Sequence, residues 1–577
     1  LGVGGALPPL GGGTAFGAEF ADAPRTRWQN RSQFVLVLAG YCIGIGNLWR
    51  FPYLCGRYGG GAFLVAYLVM LGVAAAPLFF IETVLGQKFQ RGPAETFRKM
   101  APRWVGLSYV PAMMTVFYIP YYQLIVAYAF HYFIASFQWP LPWVDGTTPD
   151  KYLYEVVLQR VTSLDDEGSS QVNVRLFFEV VAVWVITSLC LVNGIHSAGK
   201  AAYITVILPV VMITILFVAC IGLEGAGMGL RYYLVPRWSA LLNYEVWGLA
   251  AGQIIFSLSP GMGTCISLAS YHDHSYRKLA QDCLVIAISN SAFSIFGGFV
   301  VFSVVGNLAH NLGKPVEDVA DAGEGLAFIV FAQGLAHIDG RWSQILAICF
   351  FLTLFLLGLD STFAVVETLQ TYMNDWILAQ DPTARITKRG NIFRLAVLSS
   401  ILLLVGIPYT TRGGYILLEI ADHYIVTYCL SISVLLEYIM IGHVYTSEQM
   451  IEDVYNSTGV RLPQWTGFHL RYVAPAAIGF VVVLLIYSEW TSDSMKAYPR
   501  WAVFLFGVLP TVIALSAVGW PAAQFRLRRF FYTIVCPRLT QWTPEGLSPA
   551  RLRAKKAGYK DWEDVEVSPP ESEQQGI

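Results

Sequence analysis

Residues 33–57 decide the fold and read QFVLVLAGYCIGIGNLWRFPYLCGR. The stretch is apolar over more than the ~20 residues that a helix needs to cross a bilayer. Gly44 and Gly46 interrupt it near its middle, and Asn47 and Arg50 follow within about one turn. Backbone groups freed by such an interruption must face protein, water or an ion, because lipid offers no hydrogen bonds. The stretch therefore predicts a membrane helix that is opened to hold a solute.

The composition of the whole chain agrees with a membrane setting. Of its 577 residues, 55% are hydrophobic and 13% are charged, whereas soluble domains carry about 25% charged residues. The formal net charge of −1 gives no reason to expect nucleic acid as a partner. We therefore expect an all-α polytopic membrane protein whose main partner is the lipid bilayer, and the composition predicts no particular oligomeric state.

Apolar windows of membrane-spanning length predict twelve transmembrane helices. The windows lie near 33–57, 61–84, 106–136, 176–193, 199–221, 246–271, 281–309, 341–375, 393–408, 413–444, 470–488 and 500–525. The predicted membrane domain therefore covers 33–525, with tails at 1–32 and 526–577.

Charges in the loops predict the orientation. The segment after the second window is basic, with Lys88, Arg91, Arg98, Lys99 and Arg103 against Glu95. The loop after the third window, about 137–174, is rich in Asp and Glu. Basic loops stay in the cytoplasm, so both tails are expected to be cytoplasmic.

The sixth window repeats the interruption of the first. Its segment 254–263 reads IIFSLSPGMG and places Ser, Pro and Gly at mid-membrane depth. Pro260 donates no backbone hydrogen bond and clashes with the preceding turn, so a regular helix is not expected there. Two interrupted helices five windows apart predict a five-plus-five inverted repeat, about 33–221 and 246–444, followed by two extra helices in 470–525.

Polar residues near these depths are candidate ligands. Freed carbonyls and half-helix ends attract ions, and the neighbouring side-chain oxygens suit Na⁺: Asn47, Ser257, Asn290, Asp360 and Ser361. A carboxylate inside an apolar window, as at Asp360, is rare and by default functional. A structural hydrogen-bonding role stays open for each, above all for the serines, which can bond the carbonyl four residues back.

A second group is polar but uncharged and would suit a small anion: Tyr67, Gln253, Asn290 and Ser294. Asn290 and Ser294 are four residues apart and so share a helix face. Arg50 and Asp422 lie toward the outer ends of their windows. They either form a gate pair or sit separately in interfacial water.

Several motifs in one order resemble the neurotransmitter:sodium symporter family: GIGNLWRFPY at 44–53, YGGGAF at 58–63, GQ at 86–87, YY at 121–122, GLAF at 325–328 and LDS at 359–361. The resemblance runs from about Arg25 to Trp520. It implies a plasma-membrane symporter, not an enzyme, that imports a small zwitterionic amino acid with Na⁺ and Cl⁻ by alternating access. An amino-acid-gated channel and a non-transporting amino-acid sensor with the same site remain alternatives.

The resemblance also implies three ion sites. The first sodium site would use the substrate carboxylate with Cys42, Asn47, Ser257 and Asn290. The second sodium site would use Gly40, Ile43, Leu357, Asp360 and Ser361. The chloride site would use Tyr67, Gln253, Ser257, Asn290 and Ser294.

The substrate site and the gates follow from the same resemblance. Monoamine carriers of the family have an aspartate where this chain has Gly44, so the substrate is expected to bring its own carboxylate. The implied substrate contacts are Tyr41, Cys42, Gly44, Gly46, Tyr118, Tyr122, Phe256, Ser257, Ser259, Gly261, Met262, Ser361 and Val365. The implied outer gate includes Arg50 and Asp422, and the inner gate is Arg25, Trp28 and Asp375.

Overall fold

The computed structural model describes residues 27–144, 147–320, 328–336, 340–380, 386–491 and 494–519. Over these residues the chain is helical, and β structure is limited to two isolated bridges, Gly60 with Pro236 and Val172 with Thr411. The all-α prediction is therefore confirmed for the described part of the chain.

The principal helices are labelled in chain order. They are α1 (Arg31–Cys42), α2 (Ile45–Arg57), α3 (Gly61–Phe89), α4 (Pro102–Ala135), α5 (Val174–Cys190), α6 (Ile195–Cys220), α7 (Tyr244–Leu258), α8 (Thr264–Ala269), α9 (Leu279–Leu312), α10 (Arg341–Ala379), α11 (Lys388–Thr410), α12 (Gly414–Thr458), α13 (Trp465–Thr491) and α14 (Arg500–Gly519). Shorter helices connect them at Pro93–Met100, Ala226–Leu234, Val316–Ala320 and Val330–Ala336.

Within the described ranges, nine helices are long and apolar enough to cross a membrane: α3, α4, α6 and α9 to α14. The pair α1 and α2 adds a tenth span if the two are taken together. Helix α5 and the pair α7 and α8 coincide with predicted windows, but α5 has 17 residues and α7 has 15. A polytopic membrane protein is thus supported, while the count of twelve spans, the inverted repeat and the domain bounds stay predictions.

Helices α4 and α10 lie at the centre of the bundle. In their most apolar windows 78% and 83% of the residues are buried, against 22% in α13 and 28% in α14. Aromatic rings join the two central helices, and Tyr132 stacks on Phe351 with centroids 4.7 Å apart. The interrupted helices α1, α2 and α8 pack against α10, whereas α7 packs mainly on α3 and α13.

The first interruption bends the chain by 56° between α1 and α2. The amide of Gly44 donates to the side-chain oxygen of Asn47 at 3.0 Å. In a regular helix it would donate to the carbonyl of Gly40, four residues back. The amide of Asn47 likewise donates to the carbonyl of Gly44 at 3.1 Å instead of that of Ile43. Two carbonyls, those of Gly40 and Ile43, are therefore released from their regular helical partners.

The second interruption, between α7 and α8, is a sharp turn. Ser259, Gly261 and Gly263 have φ angles of 50°, 79° and 69°. This left-handed region costs a residue with a Cβ roughly 1 kcal/mol or more but is open to glycine. The hydroxyl of Tyr41 donates to the carbonyl of Ser259 at 3.3 Å and so joins the two interruptions. Both predicted breaks are present.

Candidate functional site

A small central cavity of about 20 Å³ lies between the two interruptions. It is lined by Tyr41, Cys42, Gly44, Gly46, Asn47, Tyr118, Tyr122, Gln253, Phe256, Ser257, Ser259 and Ser361. All of these were candidate substrate or ion contacts in the sequence. A cavity of this size holds about one water molecule. A larger solute would bind only if the walls moved apart or the cavity joined a neighbouring one.

Three predicted substrate contacts do not line this cavity. Gly261 turns the chain in the left-handed region, and a Cβ there would lie 2.5 Å from the Cγ2 atom of Val434. Met262 and Val365 are buried, each 2% exposed, outside the lining. The structure therefore gives Gly261 a role in the backbone turn, and substrate contact by these three residues stays a prediction.

The side chains of the first predicted sodium site form one hydrogen-bonded cluster. The Nδ2 atom of Asn47 donates to the Oδ1 atom of Asn290 at 2.8 Å and to the hydroxyl of Ser294 at 2.7 Å. Asn290 in turn donates from Nδ2 to the hydroxyl of Ser257 at 2.9 Å. The cluster joins α2, α7 and α9 at the depth of the first interruption, and it contains no formal charge.

The predicted chloride residues border the same cluster. Tyr67 is fully buried, and its hydroxyl lies 3.4 Å from that of Ser291, one turn from Ser294. The Nε2 atom of Gln253 donates to the carbonyl of Gly46 at 3.4 Å, while its Oε1 atom is buried without a partner. Ser291 was missed in the sequence, because nothing local distinguishes it from other helical serines. Hydroxyl and amide groups from α3, α7 and α9 thus lie near one another, and none of them carries a formal charge.

The second predicted sodium site centres on a buried carboxylate. Asp360 is 5% exposed, and its Oδ1 atom is hydrogen-bonded to the hydroxyl of Thr205. Its Oδ2 atom has no partner, and a Cβ at Gly40 would lie 2.9 Å from it. The hydroxyl of Ser361 lies 3.4 Å from the carbonyl of Leu357. Asp360 and Ser361 therefore face the part of α1 whose carbonyls are released, which suits a hard cation.

A larger outer cavity of about 210 Å³ adjoins the central one. Tyr118, Tyr122 and Phe256 line both cavities and so form the partition between them. Arg50 and Asp422 line the outer cavity, are partly exposed, and form no ion pair with each other. Asp422 instead accepts a hydrogen bond from the hydroxyl of Tyr121 at 3.2 Å. The two predicted outer-gate residues thus border one solvent-reaching space without closing it.

The opposite end, which the loop charges predict to be the inner one, is crossed by contacts of the chain around Trp28. Its indole Nε1 atom donates to the carbonyl of Leu268 at 3.0 Å. Arg31 forms an ion pair with Asp282 at 2.5 Å. Asp375 accepts from the backbone amide of Gly92 at 2.5 Å. Arg25 lies outside the described residues, so its predicted part in the inner gate stays a prediction.

A histidine that the sequence did not single out lies in the same inner seal. The ring of His272 packs edge-on against Phe34 of α1 and stacks on Tyr276, with centroids 4.2 Å away in both cases. His272 lies in the turn between α8 and α9, and burial lowers its pKa to about 4. The imidazole is therefore neutral while the inner end is closed.

Two interrupted membrane helices around a polar cavity define the class of secondary transporters. A profile of the sodium:neurotransmitter symporter family matches residues 25–150 and 144–526. The chain belongs to this family, which confirms the resemblance seen in its motifs. It is therefore a membrane transporter, not an enzyme.

Curated relatives agree with this assignment. The chain is 33% identical to the sodium- and chloride-dependent glycine transporter 1 of Xenopus laevis, over 86% of this chain and 83% of the relative. It is 32% identical to the sodium- and chloride-dependent taurine transporter of Canis lupus familiaris, over 85% and 83%. It is 31% identical to the sodium- and chloride-dependent GABA transporter 2 of Homo sapiens, over 93% and 94%.

Proposed function

We propose that the protein imports a small zwitterionic amino acid together with Na⁺ and Cl⁻. The observation that carries this proposal is the central cavity between the two interruptions, which is lined by uncharged donors. Next to its lining residue Ser361, Asp360 holds a buried carboxylate oxygen without a partner. The names of the relatives, which are sodium- and chloride-dependent glycine, taurine and GABA transporters, support both the ions and the substrate class.

The carboxylate of an amino acid would bind beside Gly44 once the walls of the central cavity move apart. A Cβ at this position would lie 2.8 Å from the hydroxyl of Ser361 and 3.4 Å from that of Tyr122. The space is therefore bounded by two hydroxyl groups that can donate to a carboxylate. None of the residues that line the central cavity carries an acidic side chain, so an amine without its own carboxylate would find no counter-charge there.

Sodium would bind on both sides of the first interruption. In the first site, the substrate carboxylate supplies the charge that Asn47, Ser257 and Asn290 lack. In the second site, Asp360 supplies it, together with the carbonyls released by the break. Each cation is thus paired with a carboxylate, as a buried charge requires.

Chloride would bind among the hydroxyl and amide donors of Tyr67, Gln253 and Ser294. In this site the protein residues carry no formal charge, and the bound chloride ion itself supplies the negative charge. An anion beside the first sodium site would offset part of its charge in a medium of low dielectric constant. We propose chloride coupling on this basis.

Transport would follow from alternating access of the central cavity to the two sides. The outer cavity reaches solvent near Arg50 and Asp422, while contacts around Trp28 close the inner end. Rocking of the interrupted helices against their neighbours would open the inner end and narrow the outer cavity. A net inward charge gains ~2.3 kcal/mol per 100 mV of membrane potential, which would drive accumulation.

Uptake by purified protein in liposomes tests this function. Labelled glycine, GABA and taurine would be offered in sodium chloride, then with Na⁺ replaced by choline or Cl⁻ by gluconate. We expect uptake of at least one amino acid to require both ions. Uptake that ignores both replacements would contradict the proposal, specific binding without uptake would favour the sensor, and non-saturating flux with a matching current would favour the channel.

The chloride site has its own test in Ser294→Glu. The substituted carboxylate would supply the missing negative charge, so uptake should continue when chloride is replaced by gluconate. Ser294→Gln is the matched control, because glutamine has the size of glutamate but brings no negative charge, so uptake by this variant should not become independent of chloride. Strict chloride dependence of the Ser294→Glu protein would count against the proposed anion site.

A further inference from the structure

We propose that Thr205 is a positioning residue for the second sodium ion, because its hydroxyl holds one oxygen of Asp360 so that the other faces the ion. The proposal rests on the proposed function, in which Asp360 binds sodium. Thr205 and Asp360 are 155 residues apart in sequence and are 6% and 5% exposed. Their hydrogen bond is therefore a buried contact between α6 and α10.

The two oxygens of Asp360 have different surroundings. The Oδ1 atom is hydrogen-bonded to Thr205, whereas the Oδ2 atom is buried without any partner. The Oδ2 atom points to α1 at Gly40, where a Cβ would lie 2.9 Å from it. A buried carboxylate oxygen without a donor is costly unless a cation or proton satisfies it. The Thr205 bond thus selects which oxygen is presented to the released carbonyls of α1.

The hydroxyl of Thr205 has a competing acceptor in its own helix. The carbonyl of Ala201 lies 3.0 Å from the Oγ1 atom of Thr205. A hydroxyl has one proton and donates to one acceptor at a time. Hydrogen bonds to an ionised carboxylate are shorter and about twice as strong as those between neutral groups. Donation to Asp360 is therefore favoured whenever the carboxylate is ionised, which is its state when it binds sodium.

The backbone holds Thr205 in place at an interruption of α6. The helix runs over Ile195–Thr205, is interrupted at Val206, and resumes over Ile207–Cys220. The Cγ2 atom of Val206 packs so closely on α1 that a Cβ at Gly40 would lie 2.8 Å from it. Thr205 and Val206 therefore approach the sodium site from a third helix, beside both α1 and α10. A partner fixed in this way restricts the orientation of the ligand and increases its affinity for the metal.

The test is the sodium dependence of amino-acid uptake by Thr205→Val, which keeps the shape of threonine but removes the donor. We expect the sodium concentration for half-maximal uptake to rise roughly tenfold, as for the loss of a hydrogen bond to a metal ligand. Thr205→Ser keeps the hydroxyl and should restore the wild-type value. The chloride concentration for half-maximal uptake should stay unchanged in both variants. A general loss of folding would instead alter the dependence on both ions, so this measurement separates the two causes.

Thr214→Val is the matched control on the same helix. The hydroxyl of Thr214 is exposed and donates to the carbonyl of Val210 at 2.7 Å, so its loss should leave sodium dependence unchanged. If Thr205→Val does not reach the membrane, Thr205→Cys is used in its place, because a thiol is a weak hydrogen-bond donor. The same rise in the sodium concentration for half-maximal uptake is expected.

The outcomes separate this inference from the proposed function. Wild-type uptake that needs no sodium overturns the proposed function. Sodium-dependent wild-type uptake with unchanged sodium dependence in Thr205→Val, or in Thr205→Cys in its place, overturns the role of Thr205 alone. A rise that Thr205→Ser does not reverse also overturns it, because the hydroxyl would then not be the cause.

Discussion

The outer and inner ends of the central cavity differ in how they are held. At the outer end, Arg50 and Asp422 border a cavity of about 210 Å³, and their oppositely charged groups form no ion pair. At the inner end, the hydrogen bond of Trp28 and the ion pair of Arg31 with Asp282 tie α1 to the chain around α8 and α9. Under the proposed mechanism, this difference corresponds to a state in which the outer end is open to solvent and the inner end is held closed.

This comparison can be tested with a native thiol. Cys42 lines the central cavity and is buried at 1% exposure. An impermeant thiol reagent added to one side of liposomes that hold oriented protein reports which side reaches Cys42. The protein with Cys42→Ser gives the background from the other cysteines.

The largest effect is expected for Trp28→Ala at the inner end. The substitution removes the hydrogen bond to Leu268 and the edge-on ring contacts with Phe34 and Tyr271. Together these contribute about 2 kcal/mol, which is roughly a thirtyfold shift toward inner opening. Labelling of Cys42 from the inner side should accelerate accordingly, while Trp465→Ala, at an exposed position on α13, should leave it unchanged. Equal labelling rates in the two variants would show that Trp28 does not close the inner end.

Asp282→Asn should give a smaller shift in the same direction. The Asp282 side chain is 1% exposed, but Arg31 is 44% exposed, so solvent screening limits the pair to ~1 kcal/mol, or about fivefold. Arg31→Gln should act similarly, and the double variant should add little to either change. Full additivity in the labelling rates of Cys42 would mean that the two side chains act independently.

Cytoplasmic acid should also favour inner opening, through His272. Burial holds its pKa at about 4 in the closed state, and exposure on opening would return it toward 6.5. Well above pH 6.5 the ring is neutral in both states, so pH has little effect there. As pH falls from 6.5 toward 4, only the open state binds the proton, and at pH 6 the shift should be roughly fourfold.

The control for this pH effect lies in the same turn. His272→Gln should remove the acid-induced labelling of Cys42 from the inner side, whereas His274→Gln, at an exposed position, should keep it. Acid-induced labelling that survives His272→Gln would assign the effect to another group.

The smallest effect is expected at the outer end. Arg50→Gln should leave labelling of Cys42 from the outer side of the resting protein unchanged, because no ion pair with Asp422 has to be broken. Arg50→Lys, which keeps the charge, should behave in the same way. Faster outer labelling in Arg50→Gln alone would show that Arg50 closes the outer cavity at rest, and would remove the difference between the two ends.

The sequence predicted both interruptions from local signals, whereas most of the cavity lining was implied by the family resemblance. Gly44, Gly46 and Pro260 weaken a helix wherever they occur in it, and Asp360 is conspicuous as a charge inside an apolar window. The all-helical membrane fold follows from hydropathy for the same reason.

Other features depend on contacts between distant segments. Thr205 meets Asp360 across 155 residues, and His272 meets Phe34 from another helix. Neither residue stands out among its neighbours in sequence, so periodicity and composition give no reason to select it. Whether Arg50 and Asp422 form an ion pair depends on how two distant helices are placed, which no pattern in the sequence gives. The left-handed φ of Gly261 is likewise visible only in the structure, while its predicted contact with substrate stays a prediction.

The most direct measurement of the central claim is sodium-driven accumulation in liposomes. Labelled amino acid would be present at equal concentration inside and outside, in symmetrical chloride, with a sodium gradient as the only driving force. We predict net movement of the amino acid down the sodium gradient, reversal when the gradient is reversed, and no net movement in Asp360→Asn. Exchange of label without net accumulation in either direction would contradict the account.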